Sequence, residues 1–216
     1  ASSGNITLNT TNVALSGSVA DLVAAFSGTV TTHTGPITIN DAAYDANAAS
    51  PVLIDATDIT LINTACTGAI TVSNAIRITG SGANVKLAFD AIDTNTGNAS
   101  ANITGDDYTV VELKAINDKT TGAIILADTT AALTGSVAHL KASFAGTVTT
   151  HTGTNLITDA DTTQITATDI TFIDTESSGA ITVQNNIDIR GTGAEVAAAA
   201  GQIDTVTDTP TAYLNN

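Results

Sequence analysis

Residues 14 to 35 (ALSGSVADLVAAFSGTVTTHTG) return at 132 to 153 (ALTGSVAHLKASFAGTVTTHTG) with 17 of 22 positions identical. Further on, ATDITLINTACTGAITV at 56–72 returns as ATDITFIDTESSGAITV at 167–183. A chain that copies itself this closely is built as an array, in which each unit is too small to bury its own apolar face and must stack on its neighbours. A shorter pattern lies beneath the long one: Ile or Leu, Ile three places on, Asn or Asp next, then Ser or Thr followed by Gly-Ala-Ile. It runs from Ile59 to Ile70, from Leu113 to Ile124 and from Ile170 to Ile181. With Leu22, Ile59, Phe89, Leu113, Leu140, Ile170 and Ala200 as equivalent anchors, the chain holds seven imperfect units spaced by about 30 residues.

Within a unit the spacing predicts a short helix followed by short strands. Val19, Leu22 and Phe26 share one helical face in SVADLVAAF. Asp21 and Val23, replaced by His139 and Lys141 in the second copy, are expected to face solvent. Ser18 is an N-cap candidate, and Thr109 with Glu112 has capping-box spacing. TVTTHT, ITIN, GAITVSN, IRITG, GAIILAD and IDIRG alternate as half-buried strands do. Gly28, Gly68, Gly97, Gly122, Gly146 and Gly179 precede strands and are read as turn positions with positive φ.

The core that such units build is thin. The chain has no Trp, no Met, three Tyr and four Phe, so small and β-branched side chains must fill it. The expected fold is therefore mainly β: a parallel β-solenoid of about seven coils, many carrying one short helix. Tandem immunoglobulin-like sandwiches are the rival, and they call for heavier aromatic cores and no recurring helix. The expected organisation is one elongated repeat domain over 1–216, with long copies at 14–131 and 132–216. The second copy lacks a counterpart of residues 106–131, and the chain shows no initiator Met, basic leader or evident cap in ASSGNITLNT or TPTAYLNN. It reads as a segment of a larger array whose ends meet others of their kind.

Charge narrows the partners. Six Lys and Arg stand against 21 Asp and Glu, a net charge of −15, and the cations are scattered, which argues against nucleic acid. No run approaches the ~20 apolar residues of a membrane span. The lone Cys66 allows no internal disulfide and stands where the second copy has Ser177, so it reads as a small packing residue.

Candidate chemistry is sparse. His33 and His151 are equivalent, but in a solenoid they would lie four coils, about 19 Å, apart, too far to share a metal. They are expected on a polar strand face within a Thr ladder, where replacing His33 should do little. Acid pairs invite calcium: Asp55 with Asp58, Asp90 with Asp93, Asp106 with Asp107, and Asp159 with Asp161. Asp106 and Asp107 beside Gly105 are the strongest of these, although neither a GGxGxD array nor a DxDxDG loop is present. No Ser/His/Asp or paired-carboxylate arrangement suggests hydrolysis, and no enzymatic activity is expected. Asn5, Asn9, Asn98 and Asn102 fit the glycosylation acceptor pattern.

VADLVAAF, ATDITLINTACTGAIT and TVVELKAINDKTTGAI resemble repeat units of very large secreted or cell-surface proteins of cyanobacteria and related marine bacteria, and of structural and fibre proteins of their viruses. The resemblance implies an extracellular, cell-surface or virion-surface protein, and the tandem duplication, the absent catalytic constellation and the acidic, Thr-rich sequence point to a rod, fibre or coat formed by self-association. The alternative it leaves open is an adhesin or viral fibre module that binds a glycan or surface receptor, for which Tyr44, Tyr108 and Tyr213 are the available aromatic contacts. Calcium binding by haemolysin-type segments, which accompany such proteins, is not carried to any residue here.

Overall fold

Each of the seven anchors lies in a helix, and each helix is entered from or left into a short strand. The computed structural model describes residues 5–215; the first four residues of ASSGNITLNT and the last of TPTAYLNN, segments expected to lack a cap, lie outside them. In chain order the elements are β1 (Leu15–Gly17), α1 (Val19–Phe26), β2 (Ile37–Ile39), β3 (Ile54–Asp55), α2 (Ala56–Ala65), β4 (Ile70–Val72), β5 (Arg77–Gly80), α3 (Gly82–Ala91), β6 (Thr94–Asn95) and β7 (Ser100–Ile103). There follow α4 (Val110–Asn117), β8 (Ile124–Leu126), β9 (Leu133–Gly135), α5 (Val137–Phe144), β10 (Asn155–Ile157), β11 (Gln164–Thr166), α6 (Ala167–Glu176), β12 (Ile181–Val183), β13 (Asp188–Gly191), α7 (Gly193–Gln202), β14 (Ile203–Val206) and β15 (Thr211–Leu214).

The chain packs as two compact units, one of residues 1–104 and 118–125, the other of residues 105–117 and 126–216. In the first, β1-β2-β4-β6 and β3-β5-β7-β8 form two sheets. In the second, β9-β10-β12-β14 and β11-β13-β15 do the same. The strand pairings are parallel, which excludes the antiparallel sandwich. The long sequence duplication is thus a duplication of elements: β1 to β7 with α1 to α3 correspond to β9 to β15 with α5 to α7.

The fold is mixed α/β rather than mainly β, with 30% helix and 26% strand. The reason is length. Strands run two to four residues, enough to bond the next turn and no more, whereas the helices run eight to ten. TVTTHT supplies only isolated bridges at Val30 and His33. Hydrogen-bonded partners lie 22 to 26 residues apart in most rungs, as in Leu15 with Ile37 and Asn155 with Ile181, and 33 apart for Ile37 with Ile70, where residues 40–53 intervene. The step of the ladder is therefore shorter than the spacing of the helix anchors.

In-register pairing stacks like on like. Ile37, Ile39, Ile70 and Val72 point inward and are fully buried, while Thr38 and Thr71 alternate to the other face. Val19, Leu22 and Phe26 are buried on α1, as are Val137, Leu140 and Phe144 on α5. Ser18 caps α1 by accepting from the Asp21 N–H, and Thr109 and Glu112 form the expected reciprocal pair. Tight rungs also dictate glycine, for a reason other than turn conformation. The described glycines with positive φ are Gly80 and Gly105, neither of them among the six expected. A Cβ at Gly68 would lie 1.8 Å from the Gly35 carbonyl oxygen, and one at Gly179 1.7 Å from that of Gly153, so backbone of one turn rests directly on backbone of the next.

Leu113 and Ile116 are both fully buried. Replacing either by Ala should destabilise the protein by about 2–5 kcal/mol, read as a shift in urea midpoint at unchanged slope; a shift no larger than that of Val111→Ala on the exposed side of α4 would show that the layer repacks around the loss.

Candidate interaction surface and the buried polar clusters

Three kinds of chemistry-bearing side chain were expected at the surface, and the fold assigns most of them to holding one turn to the next. Asp41 Oδ2 accepts from the Val19 N–H at 2.7 Å, and its counterpart Asp159 accepts from Val137 N–H at the same distance. Asp93 accepts from the Ile70 N–H and Asp204 from Ile181 N–H, at 2.8 and 2.9 Å. Asn74 donates to the Asp41 carbonyl as Asn185 donates to that of Asp159. Each carboxylate satisfies the N–H of a helix or strand start in the adjacent turn, a donor that would otherwise be buried unpaired.

The acid pairs proposed for calcium are divided by this use. Asp55 caps α2 by accepting from the N–H and hydroxyl of Thr57, and the hydroxyl, then the N–H, holds its carboxyl below the usual range. Asp90 pairs with Lys86 at 2.6 Å, and Asp161 accepts from the Asn186 N–H. Asp106 and Asp107 are exposed beside Gly105, which has φ +102°. Among the described residues no three His, Cys, Asp or Glu side chains converge as a metal would require.

The two histidines correct the expectation of a polar strand face. His33 is 1% exposed and His151 fully buried, each against the phenylalanine of its own unit's helix, with ring centroids 6.1 Å from Phe26 and 5.7 Å from Phe144. Around His151 a polar network closes. Its Nε2 lies 2.7 Å from the Ala131 carbonyl and so carries the proton, while the Ser177 hydroxyl, which donates to the His151 carbonyl at 3.1 Å, lies 3.3 Å from Nδ1. Asn155 and the Gly179 N–H donate to that hydroxyl. Burial pushes the His151 pKa down, against the pull of the Ala131 carbonyl. In the first copy Ile37 replaces Asn155 and Cys66 replaces Ser177. Both nitrogens of His33 then lack a hydrogen-bond partner among the described residues, and burial pushes the Cys66 thiol up, away from thiolate chemistry.

The tyrosines divide as well. Tyr108 is buried, donates to the Asp128 carbonyl at 2.8 Å, and has its pKa pushed up to about 12 by burial and by the charges of Asp128 and Asp106. Tyr44 lies under the Arg77 guanidinium at 3.6 Å, and Tyr213 under that of Arg190 at 4.6 Å. Of the acceptor-pattern asparagines, Asn98 accepts from the Thr121 hydroxyl and Asn102 donates to that of Thr79.

What remains open is an edge. β15 is exposed along its length, with Leu214 63% and Tyr213 43% accessible, and beside it lies a 310 Å³ apolar cavity between Ile189, Val196, Ala200, Ile203 and Val206. Its signal in the sequence was Ala200, the one anchor that is small where its counterpart is Phe89. Compared with protein-family models, curated proteins and solved structures, the chain matches none.

The lowered pKa of His151 sets a sign for pH dependence. Below about 6.5, its ordinary value, the unfolded chain takes up a proton that the folded ring resists, so stability falls as pH drops through 6.5 toward the lower folded value. Urea melts between pH 8 and 5 should show this loss, and His151→Gln should flatten that part of the profile; an unchanged slope in the variant would mean that the ring is not the titrating group.

Proposed function

We propose that each unit is a run of helix-bearing coils of a parallel β-solenoid, and that the protein is a non-enzymatic structural repeat that self-associates into a rod, fibre or coat outside the cell or on a virion. The observation that carries this is the recurrence of the same turn-to-turn contacts at equivalent places in the two units: Asp41 to Val19 and Asp159 to Val137, Asp93 to Ile70 and Asp204 to Ile181. Contacts that bind one turn to the next in the same way each time set no limit on the number of turns, which is how repeat proteins extend.

Two further observations support the reading. The His151–Ser177 pair, the nearest thing to a hydrolytic couple, is sealed from solvent, and the Ser177 hydroxyl is occupied by Asn155, Gly179 and the His151 carbonyl. A nucleophile must be reachable by its substrate. The aromatic rings a glycan-binding module would offer are likewise engaged: Tyr108 is buried, and Tyr44 and Tyr213 each carry an arginine on one face. The adhesin alternative therefore rests on Tyr44 and Tyr213, each with one face already covered by an arginine.

A net charge of −15 opposes association at low ionic strength, and added salt screens it within about 8 Å at physiological concentration. Sedimentation velocity from 20 mM to 500 mM NaCl should show the weight-average mass rising with both salt and protein concentration. A monomer at every condition would sink the self-association reading.

A further inference from the structure

The two copies serve as controls for one another. Residues that line the open cavity of the second unit have counterparts in the first: Ile189, Val196, Ala200, Ile203 and Ala212 correspond to Ile78, Val85, Phe89, Ile92 and Ala101. All five counterparts are buried, the most accessible at 3%. The difference lies in the strand beyond them. In the first unit β7 is joined on its outer side by β8, with the Ala101 N–H donating to the Ala123 carbonyl at 2.9 Å. In the second unit β15, the counterpart of β7, is the last strand of its sheet among the described residues.

β8 itself has a counterpart. TTGAIIL at 120–126 aligns with SSGNITL at 2–8 by the same 118-residue offset that relates 14–35 to 132–153. The structure repeats a contact in that register: the Leu126 N–H donates to the Thr149 hydroxyl at 3.2 Å, and the Leu8 N–H to the Thr31 hydroxyl at 3.3 Å. Yet Ile124 and Leu126 are buried, whereas Ile6, the counterpart of Ile124, is 45% exposed. Among the described residues there is thus a β7-like edge without a β8, and a β8-like segment without a β7.

We infer that these are two halves of one interface, and that residues 5–8 of one copy add as a parallel strand to β15 of a second copy. This rests on the self-association reading above and names the surface through which it runs. The register is set by the duplication. Thr211 donates to Ile187, just before β13, and Asn215 to Gly191 of β13, so by strand alternation Ala212 and Leu214 turn their N–H groups outward. The Ala212 N–H then meets the Asn5 carbonyl as Ala101 meets Ala123. Ile6, exposed on one copy, closes over the apolar cavity of the other. Because the two surfaces differ, the contact is heterologous: it propagates head to tail and closes only if the rotation permits a ring.

Two substitutions block one half each. Ile6→Asp places a charge where the cavity must be closed, and Ala212→Pro removes the outward N–H without touching the bonds to β13. Both sites are exposed, and circular dichroism and urea melts establish that each variant folds. At 500 mM NaCl each variant alone should sediment as a monomer of 21.6 kDa. An equimolar mixture should form a species of twice that mass and no larger, since Ile6→Asp keeps its β15 edge and Ala212→Pro keeps its strand at 5–8. Val111→Asp, on an exposed part of α4, should associate like the unaltered chain. If both variants associate as the unaltered chain does, self-association runs through another surface and this interface is wrong. If the mixture stays monomeric, the contact is not head to tail. If the unaltered chain itself never associates, both readings fall, and the β15 edge is left for a strand of another protein.

Discussion

The close seating of one turn's backbone on the next governs the rest of this structure. Parallel strands of two to four residues offer few hydrogen bonds per rung, so no single rung is stable alone and each depends on its neighbours above and below. At Gly68 and Gly179 the approach is so close that even a methyl group would collide with the carbonyl of the glycine beneath, at 1.8 and 1.7 Å. Side chains that would hold longer strands apart are excluded there, and Ile, Val and Ala fill the narrow interior that remains. The poverty of aromatic residues follows from that geometry. A thin layer has no room for a second tryptophan-sized tier.

Where the ladder turns into a helix, its N–H groups lose strand partners, and carboxylates from the adjacent turn take over. Asp41 and Asp159 do this for helices α1 and α5, and Asp93 and Asp204 for strands β4 and β12. Much of the acidic character that resembled cation-binding potential is therefore committed to backbone donors. The two copies differ most inside. The second keeps a closed His151–Ser177–Asn155 network, while the first substitutes Cys66 and Ile37 and leaves His33 in an apolar setting. Near-identity of sequence over TTHTG conceals this, because partners that decide the histidine's environment come from neighbouring rungs: Ala131 and Ser177 lie 20 and 26 residues from His151, and Cys66 lies 33 from His33.

That distance also decides what could be read from the sequence. Helices were legible because their signals are local: Ser18 with its helical trio Val19, Leu22 and Phe26, and Thr109 with Glu112. Parallel stacking was legible from the duplication. The balance of helix and strand was not, since TVTTHT alternates like a strand yet pairs only at single residues. The glycines were located correctly and explained wrongly, because positive φ is a property of one residue and close approach a property of two turns. The histidines were placed on the wrong face for the same reason: alternation along TTHT says nothing about which turn closes over it.

The last stretch of the first long copy serves both units. The structure divides residues 106–131 between the units: β8 completes a sheet of the first, and α4 packs against α5 and β9 of the second. One stretch thus performs two tasks, burying the last rung of one run and covering the first helix of another. In the second unit β15 is the last strand of its sheet among the described residues, and beside it lies the cavity that Ala200 leaves where Phe89 would stand. An exposed parallel edge is an unsatisfied row of donors and acceptors, and proteins that do not blunt such edges use them. Here the edge carries neither Lys nor Pro among Thr211–Leu214, so nothing in its chemistry blocks the next strand. The diffuse negative charge of the whole chain opposes association at long range and yields to salt, while the edge acts at contact.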